Sequence, residues 1–425
     1  MYLQKKRPGL PFLQSDPIGT ENGLHRILHE NGQEPTDSLF GNRVKVLLVT
    51  GFSIIVILQG AITWLLISGY GSSASLLRYD DFLFDIVYTY VNGSNEEYIR
   101  QKDYWFSIDL PLLGNDRIHE YHSISSSLSK DNNELCFSLR SIEKFMPSFQ
   151  GHIYVVTDQI PNWLNVSMPQ SQLRVISTQE IMDNRYLPTF NSHAIEANLH
   201  KIPHLKEFYL YFNDDYILGS PVFIEDFFID GRCPVIYGDD RLTANTNLTL
   251  NIHKKAMLNT NALLNGLLSK ANARTNDSDR RFLPHAPHPL RKSIVEQVWV
   301  SKFADTQREQ SSHRFRDMND VHPTYFVSRF LIEQSNACVE QRRMKSGCPL
   351  DGQDFCNQVL TNNYSKVTEY FDGLRLRSRM PKFLSINDRT TTNYTYQDII
   401  HWEFQRFLKE MFPQKSKFES KDCTI

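Results

Sequence analysis

The sequence predicts an α/β protein: a mixed, Rossmann-like sheet flanked by helices and preceded by one N-terminal transmembrane helix. Three observations carry that prediction. Strand-like and helix-like apolar runs alternate from Phe84 onward, as expected of parallel strands joined by crossover helices. Two strand-like runs stop at Asn92-Gly93 and at Asn213-Asp214-Asp215, and in such sheets ligands bind beyond the carboxyl ends of the strands. One long uncharged stretch precedes them all.

That stretch is residues 46–70, VLLVTGFSIIVILQGAITWLLISGY. A bilayer core of about 30 Å needs roughly 20 apolar residues, whereas a cleaved signal peptide carries a shorter run nearer the N-terminus. Arg43 and Lys45 flank its N-terminal end, with Arg26, Lys5, Lys6 and Arg7 further out; beyond it, Arg78 is the only basic residue before Arg100. This bias keeps the N-terminus cytoplasmic and makes the segment a type II anchor. Residues 1–45 then read as a flexible cytoplasmic tail, 71–80 as a short stem and 81–425 as a lumenal domain. N-x-S/T tripeptides at Asn92, Asn165, Asn247, Asn276, Asn363 and Asn393 all fall on that side, as do all six cysteines. Cys338, Cys348 and Cys356 are close enough to staple a loop, and their spacing matches no zinc signature. A formal net charge of -2 leaves no basic excess for nucleic acid, so any phosphate must be bound at a local site.

Within the lumenal part, residues 84–91 (FDIVYTYV) form a β-rich run that ends in a turn signal. Residues 132–146 place Leu135, Leu139, Ile142 and Phe145 or Met146 on one helical face, with Asn132 or Asn133 as N-cap. Residues 152–157 and 173–177 are short apolar runs, and 207–218 (EFYLYFNDDYIL) holds an apolar strand that stops at two carboxylates. Pro284, Pro287 and Pro289 exclude a helix around His285 and His288 and favour a rigid loop. A late run, residues 382–389 (KFLSINDR), again leads to Asn-Asp.

These ends carry the chemistry. Adjacent carboxylates such as Asp214 and Asp215 repel unless a cation lies between them, and Mg²⁺ is held by one or two carboxylates plus substrate phosphates. Nucleotide-sugar enzymes of the GT-A type use such a pair; a solvated Asp-Asp turn is the plain alternative. Asp388 could converge on the same cation, although a lone Asp is more often a turn or cap residue. A loop histidine suits general base work near neutral pH. Arg314 and Arg316 offer bidentate phosphate contacts, against the default of a surface arginine.

Four ordered segments resemble the Stealth family of hexose-1-phosphate transferases, which includes the lysosomal-enzyme GlcNAc-1-phosphotransferase α/β precursor, bacterial capsule polymerases and fungal xylosylphosphotransferases. The first is DIVYTYVNGSN at 85–95. The second runs from NNELCFSLRSIEKF through HIYVVTDQIPNWLN and FNSHAIE to FYLYFNDDYILGSPV. The third is HAPHPLRKSIVEQV at 285–298, and the fourth is FLSINDR at 383–389. Tyr90 stands where the family has Trp and Asn95 where it has Asp, and the sequence carries no EF-hand loop or notch-type Cys-rich insert.

The resemblance implies a GT-A-type catalytic domain and a role for each matching residue. Asn92 and Gly93 would meet the donor's diphosphate or nucleoside, with Arg140, Asp158 and His288 as further donor-site candidates. Asp214 and Asp215 would supply catalytic and metal-contacting carboxylates, His285 the family's histidine and Arg316 its arginine. Asp388 would bind Mg²⁺ or Mn²⁺, beside Asn387 and Asp215. An acceptor glycan hydroxyl would attack the β-phosphorus of a UDP-sugar and UMP would leave, with His285, Asp214 or Asp215 taking the proton. Golgi residence and a glycan or glycoprotein acceptor follow from the class, and a homo-oligomer is compatible with it. Two other readings predict different results: a glycosyltransferase would release UDP, and a non-catalytic membrane lectin would bind without turnover.

Overall fold

The computed structural model describes residues 83–113, 131–166, 172–243, 252–268, 279–334, 337–345, 347–348, 354–388 and 397–423. The expected tail, anchor and stem lie outside them. Among the described residues no helix is long and apolar enough to cross a membrane.

The strands are, in chain order, β1 (Asp85–Thr89), β2 (Ile153–Val156), β3 (Leu173–Ile176), β4 (Phe208–Asn213), β5 (Tyr216–Leu218), β6 (Phe228–Ile229), β7 (Cys233–Asp239), β8 (His288–Arg291), β9 (Glu340–Met344), β10 (Phe355–Leu360) and β11 (Phe383–Asp388). The helices used below are α1 (Glu96–Leu113), α2 (Glu134–Phe145), α3 (Thr178–Ile181), α4 (Ser192–Glu196), α5 (Ile252–Leu268), α6 (Lys292–Glu296), α7 (Ala304–Ser312), α8 (Pro323–Glu333), α9 (Tyr364–Arg375) and α10 (Gln397–Met411).

The main sheet has the order β3-β2-β1-β4-β8. Its first four strands are parallel and β8 is antiparallel, so the sheet is mixed. Side-chain alternation gives it two apolar faces: Ile86, Tyr88, Ile153, Val155, Leu210 and Phe212 pack on one side with α2. Val87, Tyr154, Val156, Tyr209 and Tyr211 pack on the other, against α4, α6 and α8. Because both faces are covered, the strands read as near-continuous apolar runs. Two smaller sheets, β10-β11-β5 and β6-β7-β9, flank the main one. Ser138 of α2 ties the first two sheets together, its hydroxyl lying 2.7 Å from that of Tyr88 and donating to the Tyr216 carbonyl.

The expected strands at 84–91, 152–157 and 173–177 are present as β1, β2 and β3, and the helical face of 132–146 is α2, with Leu135, Leu139, Ile142 and Met146 buried. The run 207–218 holds the expected strand as β4, which stops at the Asp214-Asp215 turn; β5 then leaves for the second sheet. One expectation needs correction. The proline segment is only partly a loop, because His288 and Pro289 belong to β8, an edge strand in which a residue without an N–H donor is tolerated. Cysteine pairing also differs in part from the stapled loop: Cys348 pairs with Cys356, but Cys338 pairs with Cys233, and Cys136 with Cys423.

Gly151, just before β2, approaches β1 so closely that an added Cβ would lie 1.7 Å from the Phe84 carbonyl oxygen. Gly151→Ala must therefore displace backbone. A loss of about 1–3 kcal/mol, the usual range for overpacking, is expected in denaturant or thermal unfolding.

Candidate active site

β1 and β4 end side by side, with Thr89 opposite Asn213. The Tyr211 hydroxyl donates to Asn213 Oδ1 at 2.7 Å and lies 3.0 Å from Thr89 Oγ1. The chain then makes the Asp214-Asp215 turn. Because β11 runs antiparallel to β5, with Ser385 opposite Tyr216, its Asn387-Asp388 end arrives beside that turn.

Asn387 Nδ2 donates to Asp215 Oδ2 at 2.8 Å and lies 3.2 Å from His285 Nδ1, while Ser385 Oγ donates to the same Asp215 oxygen at 3.2 Å. His285 Nδ1 is itself 4.0 Å from Asp215 Oδ2. Three residues singled out from sequence thus form one hydrogen-bonded group. An amide nitrogen can only donate, so this network assigns His285 Nδ1 as acceptor and puts the neutral ring's proton on Nε2.

Asp388 Oδ2 lies 2.6 Å from His401 Nε2 and accepts a long 3.4 Å bond from Asn132 Nδ2. His401, from α10, is buried. Asn132 leads to more acid: its backbone N–H and its amide donate to Glu134 at 2.7 and 2.9 Å. Burial, then Asp215 and Asp131, push the Asp214 carboxyl well above its ordinary range. Burial, then Asp131 and Asp214, do the same to Glu134. The turn is thus the centre of a patch of mutually repelling carboxylates. Tyr90, the departure from the family's Trp, donates its hydroxyl to Asp131 at 2.6 Å. Asn95, the other departure, accepts the Tyr98 amide at 3.0 Å at the start of α1, a capping role that Asp fills equally well.

His288 packs beside Tyr211 and Tyr216, and burial followed by the charge of His285 pushes it down to about 3, so it is a neutral ring. Arg316 donates from Nη2 to Ser192 Oγ at 2.7 Å. Glu196, four residues after Ser192, accepts from Thr324 Oγ1 at 3.0 Å. Burial pushes Glu196 up to about 7, against the opposing pull of Thr324, Arg316, Tyr211 and His285. Glu196 therefore links the neighbourhood of Arg316 to that of His285.

The donor-side candidates separate. Asn92 donates its backbone N–H to Gln159 Oε1 at 2.7 Å and uses its side chain to hold Ser94, with Gly93 in the same turn beyond β1. Asp158 accepts from the Thr178 amide at 2.9 Å and its hydroxyl at 2.5 Å, and so anchors α3 to the end of β2. Arg140 needs correction. Its guanidinium points into the core, donating to Glu419 at 2.9 and 2.7 Å, to Asp422 at 2.9 Å and to the Phe412 carbonyl at 2.9 Å. Arg140→Ala should therefore destabilise by about 3–5 kcal/mol, the range for breaking a buried pair, and leave the KM of the donor unchanged. A raised KM in a folded variant would restore the donor role.

Glu134, Glu196, Tyr211 and His401 were not singled out from sequence. Glu134 and Glu196 lie within quoted segments, but nothing in their spacing separates them from solvated acids.

Two family models match the chain: Stealth protein CR2, conserved region 2, over residues 129–235, and Stealth protein CR3, conserved region 3, over residues 284–333. The capsular polysaccharide phosphotransferase LcbA of Aeromonas hydrophila is 35% identical over 327 residues, which cover 74% of this chain and 81% of that protein. This chain belongs to the Stealth family. Its Stealth region 2 contains Glu134, Glu196, Asp214 and Asp215, and its region 3 contains His285, His288 and Arg316. The capsular polysaccharide phosphotransferase fcs1 of Haemophilus influenzae is also 35% identical, over 250 residues and 57% of this chain. The Stealth chain spans a little under two thirds of that relative, 64%. The galactosyltransferase LgtC, solved with donor and acceptor sugar analogues, covers 79% of this chain and 98% of its own at 9% identity and a TM-score of 0.37, too weak a likeness to argue from.

Proposed function

We propose that this Stealth-family chain transfers a sugar-1-phosphate from a nucleotide-sugar, a UDP-sugar in the first instance, to a hydroxyl of a glycan acceptor. The observation that carries the reading is the hydrogen-bonded group of Asp215, Asn387 and His285 beside Asp214 and Asp388. Relatives named capsular polysaccharide phosphotransferases support the same reaction class. A GT-A-type placement of donor and metal at the ends of the parallel strands belongs to this reading.

Asp214, raised by burial and then by Asp215 and Asp131, is the group assigned to accept the acceptor hydroxyl's proton, since a base with a raised pKa works best near neutral pH. His285, with Nδ1 occupied by Asn387, presents Nε2–H as a donor to a phosphoryl oxygen. Arg316 supplies a planar fork for the transferring phosphate. The acceptor oxygen forms a bond to the β-phosphorus and the bridging P–O bond to UMP breaks; UMP carries the electron pair away, and Asp214 keeps the proton. Asn92 and Gly93 would lie against the nucleotide half of the donor.

The residues present suit Mg²⁺ or Mn²⁺: Asp214 and Glu134 are raised by burial and by the charges of neighbouring carboxylates, a repulsion that a hard divalent cation would relieve, with Asp215, Asp388 and Asn387 as the ligands assigned. When bound, such an ion would neutralise the donor's pyrophosphate oxygens. Anchoring through residues 46–70 and a lumenal, Golgi-type setting belong to the same reading, supported by three disulfides.

The test is turnover of a UDP- and GDP-sugar panel by the full-length chain in detergent with a mannose-rich acceptor, with and without Mn²⁺. Metal-dependent product formation that disappears in Asp388→Ala is expected. Donor binding without turnover, unchanged in Asp388→Ala, would instead establish a lectin.

A further inference from the structure

Away from the carboxylates, three histidines meet that the transfer reaction does not use. His193 is on α4, His253 on α5 and His322 immediately before α8, where it serves as N-cap. One ring nitrogen from each lies within 4.8 Å of the other two. The ring centroids are 5.0 Å apart for His253 and His322, 5.2 Å for His193 and His322, and 6.1 Å for His193 and His253. A tetrahedral ion with metal–nitrogen distances of about 2.0–2.1 Å places imidazole centroids about 5 Å apart, so two sides of the triangle match and the third, His193 to His253, must close by about 1 Å.

A second observation points to a ligand. His193 is buried, and its Nδ1 has no hydrogen-bond partner among the described residues. A buried polar atom left unpaired is destabilising, and a metal ion would satisfy it. His322 accepts the Tyr325 amide at Nδ1 over a long 3.4 Å.

We propose that His193, His253 and His322 form a binding site for a borderline divalent transition ion, Zn²⁺ in the first instance, clamping α4 to α5 and α8. Three imidazoles suit zinc and not Mg²⁺, which demands oxygen ligands. The fourth coordination position is left to water. The clamp would hold the helix that carries Ser192, which accepts from Arg316, and Glu196, which accepts from Thr324 at the start of α8. The ion is therefore a positioning element for Arg316. Its ligands are distinct from the carboxylates, and its occupancy is measurable without turnover.

The alternative is a packed cluster of three rings that binds nothing. Co²⁺ titration of the full-length chain, stripped of metal, distinguishes the two. One equivalent should give the visible bands of a tetrahedral nitrogen site, displaced by Zn²⁺ but not by excess Mg²⁺. His253→Ala should weaken binding by at least about 10²-fold, given that loss of even an outer-shell partner costs 10–100-fold. Asp388→Ala should leave binding unchanged. Absence of a tetrahedral spectrum in the wild type would overturn the proposal, as would displacement by Mg²⁺ or equal loss in Asp388→Ala. Because the wild-type spectrum and its Mg²⁺ competition decide without any variant, a misfolded His253→Ala would not shield the idea.

Discussion

Asp214→Asn should give a protein that is nearly inert and, without divalent metal, more stable than the wild type. Asn keeps the shape of the side chain but cannot accept the acceptor's proton, and removing a general base typically costs about 10²–10⁴-fold in kcat. The stability gain follows from the raised pKa of Asp214, whose ordinary value is 3.8. A carboxyl raised in the folded state binds its proton more tightly there than in the unfolded chain. Its contribution is fully present below pH 3.8 and is lost as pH climbs toward the folded value. At acidic pH the two proteins should therefore melt alike. At pH 7–8 the variant should melt higher, by roughly 2–4 °C for each kcal/mol of relieved repulsion in a domain of this size. Added Mn²⁺ should narrow the gap by stabilising the wild type. Equal melting at every pH would show that the carboxylates around the turn do not strain one another.

Arg316 should be the most costly single cation to lose. Its Nη2 is held by Ser192, and its charge reaches Glu196, so it is already fixed before donor arrives. An arginine that neutralises a transferring phosphoryl group is worth about 10³–10⁵ in kcat, so Arg316→Ala should fall by at least 10³-fold while folding normally. Arg316→Lys should recover little, because an ammonium keeps the charge but lacks the planar fork. Near-complete rescue by Lys would leave only a field effect, and wild-type activity in Arg316→Ala would remove the residue from the reaction.

How far the sequence foretold this arrangement depends on the range of the interaction. Apolar runs and their punctuation are local, and β1, β2, β3, β4, α2 and β11 lie where those patterns placed them. The convergence of FNDD with SIND was open in sequence. It is decided by antiparallel pairing between β5 and β11, strands 170 residues apart at Asp215 and Ser385. Arg140 misled because an arginine within a helix reads the same in sequence whether it faces a ligand or a carboxylate. Its partner, Glu419, comes from the far end of the chain, 279 residues away. Glu196 and His401 were passed over for the converse reason. Each acquires meaning only through neighbours such as Thr324 and Asp388, which the fold brings to them.

The measurement that most directly tests the central claim is the identity of the nucleotide released. Full-length chain would be incubated with UDP-sugar, Mn²⁺ and a mannose-rich acceptor, and the nucleotides separated by ion-exchange chromatography. Attack at the β-phosphorus predicts UMP, in step with acid-labile phosphate in the product and absent from Asp388→Ala. UDP in step with product would place the attack on the anomeric carbon and contradict the account.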